Sequence, residues 1–213
     1  MKCLYLLMSL FMTLPIFAAC DKNESVDSNR EQSEELESRM LVAYFSATGN
    51  TQRVAERIAE LTGADLYRIE PTAPYASDPY DDSDRIQEEA YNNQRPEVRN
   101  LPENLDKYDI VYIGSPIWWH QPAMVVCTFL ETYDLSEKTI VPFFTYGATT
   151  YLNEAMQKVY KVTPNSTHIP AKLPEDLNPD DITTPGPSDD SGIDMPGNAD
   201  GVEAWLRRLE LIE

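Results

Sequence analysis

Six consecutive residues carry the strongest chemical signal in the chain: Ser46-Ala47-Thr48-Gly49-Asn50-Thr51. They lie between an apolar run, Leu41 to Phe45, and a segment with Val54, Ile58 and Leu61 at helical spacing. A strand that turns straight into a helix leaves the first helical N–H groups without partners. It also sets the positive end of the helix dipole at the turn. Three hydroxyls, a carboxamide and a glycine at that place make an anion site built of neutral donors. An ordinary N-cap needs one Ser or Thr, not six such residues in a row. The loop has no Lys, so it is not the G-x-x-x-x-G-K-[ST] triphosphate loop, and it has no Asp to hold a metal. A dianionic phosphate monoester, gripped by many hydrogen bonds, fits it.

The elements that position this loop alternate. Leu41 to Phe45 predicts a strand buried on both faces, and Asn50 to Leu61 a helix that Gly63 stops. Asp65 to Glu70 alternates polar and apolar, as an edge strand with one wet face does. Ala73 to Gln94 is polar, with a weak helix over Arg85 to Tyr91. Asp109 to Gly114 predicts a second buried strand. A helix then runs to Thr132 with Pro122 in its first turn. Thr139 to Thr145 reads as a third core strand, although Pro142 deletes one ladder hydrogen bond. Leu152 to Val162 is helical, Ser166 to Pro170 is a final strand, and Val202 to Leu211 closes the chain behind a capping box of Asp200 and Glu203. Strict alternation implies right-handed crossovers and a mostly parallel sheet. Ligands on such sheets bind beyond the carboxyl ends of the strands, so the loops after Phe45, Gly114, Thr145 and the last strand form the site. Trp118 and Trp119 follow the second core strand. Two adjacent residues of a strand point to opposite faces, so both cannot be core, and at least one is a ligand contact.

Leu41 to Ala59, LVAYFSATGNTQRVAERIA, resembles the opening of flavodoxins with their Ser/Thr-x-Thr-Gly-x-Thr phosphate loop. Tyr108 to Glu131 resembles a flavodoxin-like subfamily with a Gly-x-Pro-x-Trp-Trp loop, and Thr139 to Thr150 resembles the strand and loop beyond the flavin ring. The resemblance implies an α/β, doubly wound, three-layer sandwich around a five-stranded parallel sheet of order 2-1-3-4-5, with FMN as cofactor. It assigns Ser46, Ala47, Thr48, Gly49, Asn50 and Thr51 to the phosphate. Ser115, Pro116, Ile117, Trp118, Trp119 and His120 go to one face of the isoalloxazine, and Thr145, Tyr146 and Gly147 to its other edge. Tyr151 is assigned to stack on the ring. Aromatic side chains bury such an apolar plane well. His120 stands where many relatives carry Gly, and a side chain there is penalised for the positive φ that a peptide flip needs. His120 is therefore either a cation near the reduced ring or a solvent-facing loop residue.

Charge and the termini narrow the class. With 17 basic and 36 acidic residues the net charge is −19. That excludes a nucleic-acid binder, which needs a basic face, and a polybasic membrane-surface mode. Met1 to Cys20 has one early Lys, a long uncharged stretch and Ala18-Ala19 before Cys20. This is a secretory leader, and the small pair before Cys20 resembles the cleavage box of bacterial lipoproteins, in which that Cys carries lipid. Residues 1–19 are thus read as a signal peptide, 20–39 as a lipidated Cys with an acidic tether, and 40–213 as the folded domain. Cys127 stands alone in an apolar run, which reads as a buried hydrophobe, and His168 reads as structural. Residues 171–200 hold five Pro and seven Asp. They form a long acidic loop, read either as solvated chain or as a partial lid over the flavin edge.

Three functions remain open. The first is an FMN-binding electron-transfer protein, anchored in the cell envelope and docking a redox partner with a basic face. The second is an FMN-dependent NAD(P)H:quinone or flavin oxidoreductase. The third is a non-redox binding lipoprotein on the same scaffold. No basic cluster is visible near the cofactor loops, which weighs against a nicotinamide dinucleotide.

Overall fold

The computed structural model describes residues 39–147, 151–171 and 201–213. In chain order it forms β1 (Met40–Tyr44), α1 (Asn50–Thr62), β2 (Asp65–Arg68), β3 (Glu70–Pro71), a 3-10 turn (Pro79–Asp82), α2 (Ser83–Tyr91) and β4 (Val98–Arg99). There follow β5 (Ile110–Trp118), β6 (Gln121–Pro122), α3 (Met124–Thr132), β7 (Thr139–Thr145), α4 (Leu152–Val162), β8 (Thr167–His168) and α5 (Val202–Arg208). The leader, the tether with Cys20, and the acidic loop with its lid reading lie outside the described residues.

The main sheet runs β2-β1-β5-β7-β8, and every pair in that order is parallel. This is the 2-1-3-4-5 order expected of a doubly wound sheet. Successive residues of β1 serve opposite layers: Leu41 and Ala43 join the core under α3 and α4, while Val42 and Tyr44 join the core under α1 and α5. The central strands are buried on both faces, which is why they read as unbroken apolar runs.

The last helix stops at Arg208 and the last strand spans only Thr167–His168, and three further boundaries differ from expectation. The edge strand Asp65–Glu70 divides in two. Ile69 still donates its N–H to the Tyr44 carbonyl at 2.7 Å, after which Glu70 and Pro71 pair antiparallel with β4. Pro122 is not in the first turn of a helix. β5 continues past Gly114 to Trp118 and folds back, so Pro122 pairs with Ile117, and the helix begins only at Met124. Finally, the N-cap of α5 is Gly201, with no side-chain cap, and Asp200 lies outside the described residues.

Pro142 turns out to sit harmlessly inside β7. The Ile140 carbonyl accepts from Ile169, so even-numbered residues of β7 face β8. That ladder ends at the Ile140–His168 pair, before Pro142 would need a donor. Cys127 is fully buried, and burial pushes its thiol up to about 11. His168 stacks on Tyr160 at 4.0 Å and bonds the Thr163 hydroxyl at 2.8 Å, and burial lowers its pKa.

At Gly114 the Phe143 ring of the neighbouring strand fills the place of a side chain. A Cβ there would lie 2.2 Å from the buried Phe143 ring. Gly114→Ala should therefore destabilise the fold by about 1–3 kcal/mol, the usual cost of overpacking. Urea unfolding checks this, and an unchanged midpoint would count against the close approach.

Candidate functional site

The carboxyl ends of β1, β5 and β7 open into a cavity of about 540 Å³. Pockets for small molecules span about 300–1,000 Å³. The first wall is the loop after β1. Gly49, the N-cap of α1, has φ +92°, and its N–H donates to Ser46 Oγ at 3.1 Å. Only glycine reaches that φ without steric cost. The Thr51 and Thr145 hydroxyls are 2.8 Å apart, which ties the start of α1 to the end of β7. Among the described residues the backbone N–H groups of Ala47 and Thr48 have no hydrogen-bond partner. Ala47, Thr48, Asn50 and Thr51 all line the cavity, as does the buried Ser46. Unpartnered donors at a helix start fit a phosphate monoester.

The second wall comes from β5 and its hairpin. Pro116, Ile117, Trp118 and Trp119 line the cavity. Trp118 is held edge-on by Phe45 at 5.3 Å and by Tyr75 at 5.1 Å. Trp119 is 36% exposed and meets the edge of Tyr91. Trp119 and His120 form the two-residue turn from Trp118 to Gln121, with φ of 46° and 68°. Two positive φ values make the turn that strand twist favours, at a conformational cost for non-glycine residues. His120 therefore adopts the left-handed backbone despite its side chain. Thr145, Tyr146 and Gly147 supply the edge between these walls.

Three assigned residues point elsewhere. Ser115 is buried beneath the hairpin, where its Oγ donates to the Pro116 carbonyl at 2.8 Å and accepts from the Ala123 N–H at 2.9 Å. His120 and Tyr151 stack on one another, their rings 3.6 Å apart and nearly parallel, instead of lining the cavity.

The third wall was missed. Ser77, Asp78, Pro79, Tyr80, Ser83 and Ile86 line the cavity from the segment before and within α2. This segment leaves the carboxyl end of β2 through β3, so the carboxyl-end rule, extended to the edge strand, would have found it. A polar knot holds it. Arg85 donates to Glu89 at 2.8 Å and to the Ala73 and Pro74 carbonyls, and its guanidinium lies 4.2 Å from the Tyr75 ring centroid. Tyr75 donates to the second oxygen of the buried Glu89 at 2.6 Å. Burial, then that hydrogen bond, raises the Tyr75 pKa.

Tertiary structure also brings bases to the phosphate loop, contrary to the expectation of none nearby. Arg68 donates to the Ser46 carbonyl at 3.0 Å, and Arg53 to the Asn50 side chain at 2.6 Å.

A sequence profile described as flavodoxin matches residues 39–184. The fold is similar to that of a candidate flavoprotein from Bacteroides eggerthii, at 31% identity and a TM-score of 0.63, covering 82% of this chain and 99% of that one. A candidate flavoprotein from Bacteroides uniformis is 34% identical, with a TM-score of 0.57 over 62% of this chain and 86% of that one. A Lactobacillus acidophilus flavoprotein in complex with FMN is 25% identical, with a TM-score of 0.56 over 62% of this chain and 91% of that one. No protein of curated function matches.

Glu89→Ala should cost about 2–4 kcal/mol, because it strands the Arg85 guanidinium and the Tyr75 hydroxyl. It should also red-shift tryptophan emission as Trp118 loses Tyr75. Parent-like stability and emission would show that the knot does not hold the wall.

Proposed function

Because the chain belongs to the flavodoxin family, we propose that it binds FMN and carries electrons at a cell-envelope membrane, anchored by lipid on Cys20. One observation carries the cofactor reading: Ala47 and Thr48, whose amides have no partner among the described residues, line the same cavity as Trp118. Ser46 to Thr51 would hold the phosphate. Trp118, Trp119 and the Thr145-Tyr146-Gly147 edge would bury the ring, with Ser77 to Tyr80 opposite. When bound, FMN supplies one- and two-electron chemistry, and the protein supplies burial, orientation and electrostatics.

The side chains favour a carrier over a nicotinamide enzyme. Among the described residues lining the cavity Asp78 is the one charged group. It offers nothing to the phosphates of NAD(P)H, and its charge opposes the build-up of negative charge within the site, which lowers the reduction potential. An acidic chain also steers toward a redox partner with a basic face. The anchor rests on the Ala18-Ala19-Cys20 box.

Two measurements test this reading. Full-length chain in detergent, loaded with FMN, is titrated anaerobically with NADPH and then with dithionite. Dithionite should bleach the flavin stoichiometrically while NADPH alone leaves it oxidised. Failure to bind FMN removes the reading, and rapid bleaching by NADPH replaces the carrier with an oxidoreductase. Separately, cells expressing the chain are fed labelled palmitate. The label should enter the parent and be absent from Cys20→Ser, and an unlabelled parent removes the anchor.

A further inference from the structure

We propose that Arg68 is a positioning residue for the phosphate end of the cavity, acting through the Ser46–Ala47 peptide; this rests on the FMN reading above. Arg68 is the last residue of β2 and pairs with Tyr44, the last residue of β1. By alternation alone it is an exposed residue on the wet face of an edge strand. In the fold its guanidinium spans the start of the loop and the helix that follows. Nη2 donates to the Ser46 carbonyl at 3.0 Å, and Nη1 donates to Gln52 Oε1 at 3.2 Å. The rigid fork of a guanidinium suits two fixed acceptors, which an ammonium matches poorly.

The consequence follows from peptide planarity. In a trans peptide the carbonyl oxygen and the next N–H point in opposite directions. Holding the Ser46 oxygen against Arg68 turns the Ala47 N–H away from Arg68, and Ala47 lines the cavity. A rotated peptide would present the oxygen, with its partial negative charge, to the anion instead. Arg68 thus selects the donor-inward state of the loop's first peptide and sets a positive charge behind it. Arg53 differs, since among the described residues it reaches the Asn50 side chain and no backbone carbonyl.

The test compares ligands with and without phosphate. Dissociation constants for FMN and riboflavin are measured on full-length Arg68→Met, Arg68→Lys and Arg57→Met. Arg57 sits on the same helix as Gln52 and pairs with Glu60 and Glu203, so its variant controls for lost charge. Arg68→Met should weaken FMN about tenfold, as loss of a charge-assisted contact does, while riboflavin changes by less than about twofold. Arg68→Lys should recover only part of the loss, and Arg57→Met should leave both ligands unchanged. FMN affinity unaltered in Arg68→Met, or equal losses for both ligands, overturns the proposal. Inorganic phosphate is the third probe, followed at the Ala47 amide by NMR. The amide should shift in the parent and stay still in Arg68→Met. Phosphate binding that depends on Arg68 in a parent that ignores FMN would overturn only the FMN reading. A parent that binds neither overturns both.

Discussion

In a parallel sheet all strands run the same way, so their carboxyl ends, with their unpaired groups, fall on one edge. The register of the three central strands fixes what stands there. Tyr44 pairs with Gly114, and Gly114 with Phe143, so Phe45, Ser115 and Phe144 begin the next row; the β1 loop leaves there, while β5 and β7 stay paired as far as Pro116 and Thr145. Gly114 makes this register possible, because the Phe143 ring occupies the space of a side chain. The β1 loop has only five residues, Phe45 to Gly49, between strand and helix. So short a crossing delivers the start of α1, and the amides of Ala47 and Thr48 just before it, to the same edge as the tryptophans.

Backbone strain lies where the ring wall is made. Trp119 and His120 both hold positive φ, and each costs about 1–2 kcal/mol relative to the right-handed region. The surroundings over-determine the turn. Ser115 pins it from beneath, the short antiparallel pairing closes it, and His120 stacks on Tyr151. The opposite wall has the same logic with charge in place of strain. Glu89 is buried only because Arg85 and Tyr75 both bond to it, and Arg85 in turn grips the chain entering the wall. Half-satisfied, such a network would be worse than an apolar one.

The net charge of −19 is a poor guide to the cavity. Seven acids against three bases stand in residues 21–39, and seven Asp stand in 171–200. The described cavity lining has Asp78 alone, and that carboxylate already accepts from the Tyr80 N–H. Two arginines lie behind the phosphate loop, each engaged with it. Overall acidity therefore acts at long range, while the anion end of the site has the opposite local sign.

The family resemblance supplied the strand order. Periodicity was enough to read the alternating strands and helices, and the six-residue motif and the tryptophan pair marked two loops that line the cavity. Each is a local matter: an apolar run must be buried, a strand-to-helix turn must leave amides unpaired, and adjacent tryptophans must diverge. Strand ends were harder, since β5 outlasts its apolar run by folding back on itself and Pro142 is tolerated only because the β8 ladder has already stopped. What local pattern could not supply were contacts between distant residues. Arg68 is 22 positions from the carbonyl it holds, Glu89 is 14 from Tyr75, and Tyr151 is 31 from the His120 ring that takes it. Sequence determined which loops meet at the sheet edge, because chain direction and hydrophobic period decide that. Tertiary structure alone decided which side chains reach the cavity and which bond one another, because side-chain reach and competing partners are set by packing.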